Sequence, residues 1–161
     1  MFTRLLAPVF AALLAIGFAP TAPAAERDVS LALATDLARD LADAASDGRA
    51  LLVLYSLPGC PWCARARREH LGAMARDPDE QKRVLIREID ITSDAALVAP
   101  DGSRTTHRAF ARAHRIRLTP TTGFLARDGS DAAEAIVGYP PAGFYGAYLE
   151  QRIEQARRRA P

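Results

Sequence analysis

The sequence predicts a single α/β domain with a mixed central sheet flanked by helices. Helix-like and strand-like hydrophobic patterns alternate along most of the chain, which is typical of a sheet covered by helices. Two consecutive strand-like runs near the C-terminal end are joined by the short turn Asp128-Gly129-Ser130, so we expect an antiparallel pair in that sheet. The 161 residues and 49% hydrophobic content suffice for one domain with its own core, without a disulfide framework.

The first 24 residues have the features of a secretory signal peptide. Arg4 precedes an apolar run of about 15 residues, which is shorter than the roughly 20 that a membrane-spanning helix needs. Ala22 and Ala24 then form an A-x-A cleavage pattern. We therefore predict a signal peptide over 1–24, removed by cleavage, and a mature periplasmic domain over 25–161. An uncleaved membrane anchor is the alternative interpretation.

The charge balance argues against one class of partner. The full chain carries 21 Lys and Arg against 19 Asp and Glu, and removal of the leader takes away only Arg4. The mature charge is therefore nearly balanced, without the concentrated basic face that is typical of nucleic-acid binding. We predict no nucleic-acid partner and take a monomer as the default state.

The first half of the chain predicts a helix, a buried strand and a second helix. Residues 29–47 place apolar side chains at helical spacing, and Gly48 ends that helix. The stripe consists of Leu33, Leu37, Leu41 and Ala44. Residues 49–56 form an unbroken apolar run, typical of a strand buried on both faces. A tight turn follows, and Pro61 stands at the start of the next helix, a position that tolerates proline.

The second half predicts one more central strand, a helix, the hairpin and a terminal helix. Residues 83–91 alternate well enough for the strand, and a polar loop over 92–103 leads to a helix over 104–116. The hairpin strands span about 121–127 and 132–137. The apolar stripe of the last helix consists of Phe144, Tyr148, Leu149 and Ile153.

Both cysteines of the chain, Cys60 and Cys63, stand in the segment CPWC at the seam between a predicted strand and helix. A thiolate is the attacking group in thiol–disulfide exchange, and a helix N-terminus stabilises negative charge. Cys60 is placed to receive this stabilisation, and Cys63 lies one turn into the helix, within reach of it. The pattern therefore indicates a reversible redox couple.

Two other interpretations of the cysteine pair stay open. A metal site is one, but a closed zinc site needs four ligands, and the histidines are scattered along the chain. They are His70, His107 and His114. An inert staple is the other, although a disulfide across so short a loop removes little entropy from the unfolded chain.

The segment RLTPTT, residues 117–122, is the second notable motif, because its Thr-Pro pair opens the predicted hairpin. A strand, CPWC, a helix, LTPT before a hairpin, VGY and a terminal helix together resemble the thioredoxin family over about residues 29–155. In particular, the chain is similar to exported thioredoxin-related proteins of the SoxW type. Those proteins share the GC-x-x-C site, an acidic strand end such as REIDI and a GY-x-x-x-x-F segment. The combination is specific, whereas CxxC alone is a weak signal.

The resemblance implies a thioredoxin fold and a role for each residue of the CPWC segment. Cys60 is then the exposed nucleophile, and Cys63 is the resolving thiol. Pro61 and Trp62 form the dipeptide that tunes the redox potential. Trp62 also supplies exposed apolar surface for docking partners, with a partly buried packing residue as the alternative.

The resemblance also assigns roles to the residues that open the hairpin. It implies that Pro120 follows a cis peptide bond and packs beside the cysteines. It implies that Thr119 offers its backbone to a client segment, which pairs with it as an added strand. A Thr-Pro pair without the rest of the pattern would indicate only a turn.

One position departs from the family pattern. Cytoplasmic thioredoxins carry a buried aspartate six residues before the first cysteine, which assists proton transfer to the second. Leu54 occupies that position here. Glu88 or Asp90 on the neighbouring predicted strand, or water, is then expected to replace the missing acid. The proton route from Cys63 is therefore the part of the mechanism that the sequence defines least.

The predicted function is that of an exported thiol–disulfide oxidoreductase that needs no metal, flavin or nucleotide. The resemblance favours a reductase of client-protein disulfides, kept reduced by a membrane thiol electron donor. A disulfide-forming oxidase is one alternative, although only about 30 residues separate Asp90 from Pro120, which leaves no room for the large helical insertion of the main bacterial oxidase. A metal-binding or metallochaperone module that uses the two thiolates is the alternative from a different class.

Overall fold

A four-stranded mixed sheet forms the centre of the computed structural model, which describes residues 29–141 and 143–159. In chain order the elements are α1 (Leu37–Ser46), β1 (Ala50–Ser56), α2 (Pro61–Ala66), a π-helical turn (Arg67–Leu71), α3 (Gly72–Met74), α4 (Pro78–Gln81), β2 (Val84–Asp90), β3 (Ala96–Val98), β4 (Arg104–Thr106), α5 (His107–Ala113), β5 (Thr121–Leu125), β6 (Asp131–Val137) and α6 (Phe144–Arg157). The strand order is β2-β1-β5-β6, with β1 parallel to β2 and the other neighbours antiparallel. The predicted mixed sheet flanked by helices is confirmed.

The predicted signal peptide, residues 1–24, lies outside the described residues. Its cleavage and the boundary of the mature domain therefore stay predictions. Within the part of the chain that the structure describes, no helix has both the length and the apolar character needed to cross a membrane.

The apolar run around β1 is the centre of the core, and all seven residues of this strand are buried. Because side chains alternate along a strand, β1 supplies both faces of the sheet. Leu52 and Leu54 pack on the side of α6 and of the helix that follows the cysteines. Val53 and Tyr55 pack on the opposite side, with α1 and α5. The continuous hydrophobicity of this segment follows from its burial on both faces.

The first helix begins later than predicted. Residues 29–47 were expected to be helical, but α1 starts at Leu37, after the N-cap residue Asp36, whose carboxylate accepts a 2.9 Å hydrogen bond from the Arg39 N–H. The residues before the cap run extended beside β2, where the Glu88 N–H donates to the Ala32 carbonyl at 2.8 Å. Tertiary pairing with the sheet edge therefore replaces the first turns of the predicted helix.

The region between β2 and α5 contains a small hairpin that the sequence did not indicate. The predicted polar loop over 92–103 contains β3. The first residues of the predicted helix over 104–116 form β4 instead. The two short strands pair antiparallel, with Leu97 opposite Thr105. Thr106 then caps α5 through its hydroxyl, which accepts from the Ala109 N–H.

The apolar stripe of α6 is rotated relative to the prediction. Leu149 and Ile153 are buried as expected, but Phe144 and Tyr148 are exposed and stack on each other with ring centroids 6.3 Å apart. Tyr145 takes the inward position, where its hydroxyl bonds the Thr122 hydroxyl of β5 at 2.7 Å. Tyr145 thus joins Leu149, Ile153 and Ala156 in the buried stripe of the helix, and its hydrogen bond links that stripe to the sheet.

Candidate active site

Cys60 and Cys63 form a disulfide at the start of the helix that spans residues 61–74, hereafter the cysteine helix. The two Cα atoms are 5.3 Å apart. Cys60 is the N-cap residue, and its sulfur accepts a 3.1 Å hydrogen bond from the Cys63 N–H. Pro61 occupies the first helical turn, as predicted, where a missing N–H costs no helix hydrogen bond. Unpaired N–H groups and the helix dipole at this end favour a thiolate on Cys60.

The two sulfurs differ in their access to solvent. Cys63 is fully buried beneath the helix, whereas Cys60 is partly exposed at its end. A disulfide of another protein can therefore approach Cys60, while Cys63 is reached only from within the molecule. This asymmetry matches an attacking thiol and a resolving thiol.

The segment before β5 lies against the cysteines. The Thr119–Pro120 peptide bond is cis, Pro120 is buried, and the Thr119 hydroxyl lies 3.7 Å from the Cys60 sulfur. Leu118, immediately before it, is 63% exposed. The fold thus brings two distant motifs, CPWC and LTPT, into contact at one end of the two inner strands, β1 and β5.

Trp62 lies at the surface beside Cys60, with 53% of its residue surface exposed. Its ring stacks on Tyr139 with centroids 6.1 Å apart and an angle of 18° between the planes. The Arg65 guanidinium lies 5.8 Å from the Trp62 ring centroid and 5.2 Å from that of Tyr139. Trp62 is therefore half exposed and packed on one face, and its role in docking partners stays a prediction.

Tyr139 is a site residue that the sequence reasoning missed. Its hydroxyl donates to the Glu69 carboxylate at 2.6 Å, and the His70 Nε2 atom lies 3.1 Å from the Tyr139 hydroxyl oxygen. The bond from Tyr139 lowers the pKa of Glu69. Burial, with a further contribution from Glu69, raises the pKa of Tyr139. Tyr139 is the last residue of the VGY segment noted in the sequence. Its contact with the cysteine helix is far away in the sequence and is shown only by the structure.

Two histidines make the stability of the fold depend on pH. Burial lowers the pKa of His70 and of His114 below the ordinary value of 6.5. Below a pH of about 6.5, the unfolded chain therefore binds more protons than the folded chain. The contribution of the two neutral histidines to the free energy of unfolding is fully present above this pH and decreases below it. We expect urea titrations to give a smaller free energy of unfolding at pH 5.5 than at pH 7.5. The variant His70→Gln/His114→Gln should show a weaker dependence, and an unchanged dependence would contradict the assignment.

Leu54, the position of the missing acid, is fully buried in β1 and pairs in register with Glu88 of β2. Glu88 is itself buried, accepts a hydrogen bond from Ser56 and forms an ion pair with Arg67 of the cysteine helix at 2.6 Å. Asp90 lies at the strand end, where its carboxylate accepts from the N–H and hydroxyl of Thr92. Of the two predicted substitutes, Glu88 is therefore the one that lies beside Leu54 in the sheet.

The histidines are engaged in contacts other than with the cysteines. His70 bonds Tyr139, and His114 stacks on Phe110 with ring centroids 4.1 Å apart. His107 is buried, and its ring nitrogens lie within hydrogen-bond distance of the Asp90 N–H and the Ala34 carbonyl. Over residues 29–141 and 143–159, no three His, Cys, Asp or Glu side chains are grouped so that they could hold a metal ion.

The solved structures that match this chain include the following three. A thioredoxin-fold protein from Helicobacter pylori aligns at 16% identity over 70% of this chain and 73% of its own, with a TM-score of 0.51. Fasciola hepatica thioredoxin aligns at 17% identity over 78% and 99%, with a TM-score of 0.50. The periplasmic thioredoxin SoxS from Paracoccus pantotrophus, in its reduced form, aligns at 20% identity over 67% and 99%, with a TM-score of 0.45.

The family comparison covers most of the folded chain. No curated protein matches the sequence significantly. The family profile described as a thioredoxin-like domain matches residues 37–153, which include every strand of the central sheet and both cysteines. Together with the mixed sheet and the Cys60–Cys63 disulfide, this match shows that the chain belongs to the thioredoxin-like family of thiol–disulfide oxidoreductases.

Proposed function

We propose that this protein is an exported, periplasmic oxidoreductase that reduces disulfides of client proteins. The observation that carries the proposal is the Cys60–Cys63 disulfide at a helix N-terminus, with one accessible and one buried sulfur. The exported location is supported by the leader pattern over 1–24. Assignment to the SoxW type within the family stays a prediction.

The proposed reaction begins with the reduced dithiol form. The Cys60 thiolate attacks one sulfur of the client disulfide, forming a mixed disulfide and releasing the first client thiolate. The Cys63 thiolate then attacks the Cys60 sulfur, which forms the Cys60–Cys63 disulfide and releases the second client thiolate. Two electrons pass from the protein dithiol to the client. A membrane thiol donor is proposed to return them, and the dithiol itself is the only redox centre required.

The client is proposed to bind on the surface where the start of the hairpin meets the start of the cysteine helix. The Thr119 backbone next to Pro120 would pair with an extended client segment. The 3.7 Å contact of the Thr119 hydroxyl with the Cys60 sulfur supports this placement, because it brings the residue beside the reactive group. Trp62 would contact the client beside the reacting sulfurs, and Pro61 would contribute to the potential. No nucleic acid takes part, and the protein would act as a monomer.

Glu88 is the group that we propose for proton transfer from Cys63. Its position opposite Leu54 in the β1–β2 register supports this role, as does its burial under the cysteine helix. The ion pair with Arg67 holds the carboxylate in place there. Asp90 is less suited, because it lies at the strand end and pairs in register with Ser56 rather than with Leu54.

The redox potential decides between a reductase and the oxidase alternative. We expect a potential near that of thioredoxin, about −270 mV, measured by equilibrating the protein with glutathione or dithiothreitol buffers and quantifying the Cys60–Cys63 disulfide. A value near that of a strong oxidant, about −120 mV, would overturn the proposed direction while leaving the exchange chemistry intact. The variant Cys60→Ser/Cys63→Ser is the control, because it contributes no disulfide to the titration.

A further inference from the structure

The Trp62 ring is held against the body of the protein by a row of stacked groups. Along the cysteine helix, Trp62, Arg65 and Glu69 lie three and four residues apart, so they share one face. Tyr139, which follows β6, packs on this face from outside the helix. The Arg65 guanidinium lies close to both aromatic rings, where a cation is attracted by their π faces.

Tyr139 is itself fixed from two sides. Its hydroxyl bonds Glu69, whose other carboxylate oxygen accepts from the Arg65 Nε at 2.8 Å, so one carboxylate ties both neighbours of Trp62 together. On its inner side, the Tyr139 ring stacks on Tyr145 with centroids 4.8 Å apart. The row therefore leads from the surface to a buried residue that is anchored to the sheet through Thr122.

Exposed apolar side chains stand on both chain segments that form the site, Trp62 in the CPWC segment and Leu118 in the LTPT segment. Leu118 precedes Thr119, whose hydroxyl contacts the Cys60 sulfur. Exposed apolar patches often mark interaction sites, and these two residues belong to the segments that hold the reactive sulfur. The occupant that this surface fits is a client segment with an apolar side chain beside its disulfide cysteine.

We propose that Tyr139 is a positioning residue that holds Trp62 as a rigid apolar wall beside Cys60, and that this wall selects clients with an apolar residue next to the disulfide. The inference rests on the proposed reductase function and specifies the substrate class of the same site. The described contacts of Tyr139 are with Trp62 and its other neighbours rather than with the cysteines, so Tyr139 acts through Trp62. Holding a ring in place before binding reduces the entropy that is lost when a partner docks on it.

The experiment uses two synthetic disulfide peptides that are identical except for Leu or Ser next to the cysteine. With dithiothreitol as the electron source, the wild-type protein should have a KM that is roughly tenfold lower for the Leu peptide, an effect typical of one hydrophobic contact. Tyr139→Leu should raise the KM for the Leu peptide to near that for the Ser peptide, with kcat retained. Trp62→Ala should do the same, and the double variant should show no further loss.

A spectroscopic arm reads the position of Trp62 directly, because it is the only tryptophan of the chain. Tyr139→Leu should increase the quenching of its fluorescence by acrylamide, whereas Tyr139→Phe, which keeps the stacked ring, should stay near the wild type. Tyr148→Leu is the matched control, since Tyr148 is exposed and stacks only with Phe144 among the aromatic contacts of the described residues. This control should alter neither quenching nor peptide preference.

The outcomes separate this inference from the proposed function. If Tyr139→Leu leaves both the fluorescence and the preference for the Leu peptide unchanged, the positioning role is wrong. If the wild type shows no preference between the peptides, the selection of apolar clients is wrong. If the wild type reduces neither peptide nor hydroxyethyl disulfide, the reductase function fails, while the quenching data still test whether Tyr139 holds Trp62.

Discussion

Replacing Cys60 by serine is expected to abolish disulfide reduction, whereas replacing Cys63 by serine is expected to trap clients on the protein. Cys60 is the sulfur with access to solvent, and it caps the helix whose N-terminus favours a thiolate. A serine hydroxyl at this position is not ionised at neutral pH and cannot start the exchange. Cys63 is fully buried, so its loss leaves the first attack possible and removes only the second. The mixed disulfide then has no internal thiol to resolve it.

This prediction is measured by incubating each reduced variant with a periplasmic extract and separating the products on non-reducing gels. Cys63→Ser should give covalent adducts that disappear on reduction, and mass spectrometry then identifies the clients. Cys60→Ser should give few adducts, because the remaining thiol is buried. The variant Cys60→Ser/Cys63→Ser sets the background. Equal amounts of adduct on Cys63→Ser and on this double variant would contradict the assignment of Cys60 as nucleophile.

The parts of the site that could be predicted are those with local sequence signals. The run before Cys60 is apolar because β1 is buried on both faces, and Pro61 marks the helix start because proline fits the first turn. The predicted Thr119-Pro120 turn does open the hairpin. Each of these features depends on residues close together in the chain, so the pattern itself contains the information.

The parts that could not be predicted depend on partners far away in the sequence. The extended conformation of the described residues before α1 is determined by pairing with β2, which competes with the helical propensity of the same residues. The side of α6 that faces the sheet is the buried stripe Tyr145, Leu149, Ile153 and Ala156, whose first member also bonds Thr122 of β5. The helix stripe with Phe144 and Tyr148 was an equally periodic alternative. Periodicity alone does not distinguish such phases when both contain aromatic residues.

The ion pair between Arg67 and Glu88 is another such long-range feature, and its disruption is expected to have the largest effect on stability. Both side chains are nearly excluded from solvent, at 12% and 9% exposure. Arg67→Met would leave the Glu88 carboxylate buried with the Ser56 hydroxyl but without its cation. Breaking one side of a buried pair costs about 3–5 kcal/mol, because the remaining charge has lost both water and partner. We expect the free energy of unfolding of Arg67→Met to fall by an amount in this range.

The double variant Arg67→Met/Glu88→Gln separates two contributions to the loss of stability, the unpaired buried charge and the lost packing of Arg67. The glutamine side chain would keep an acceptor for Ser56 but carries no charge, so this variant should be more stable than Arg67→Met alone. Urea unfolding of the wild type, both single variants and the double variant gives the coupling energy, in which other contacts of Arg67 cancel. A double variant no more stable than Arg67→Met would show that the buried carboxylate is not the source of the loss. Glu88→Gln also removes the proposed proton acceptor. The rate at which the folded Glu88→Gln variant resolves a mixed disulfide therefore tests the catalytic role of Glu88 separately from its stabilising role.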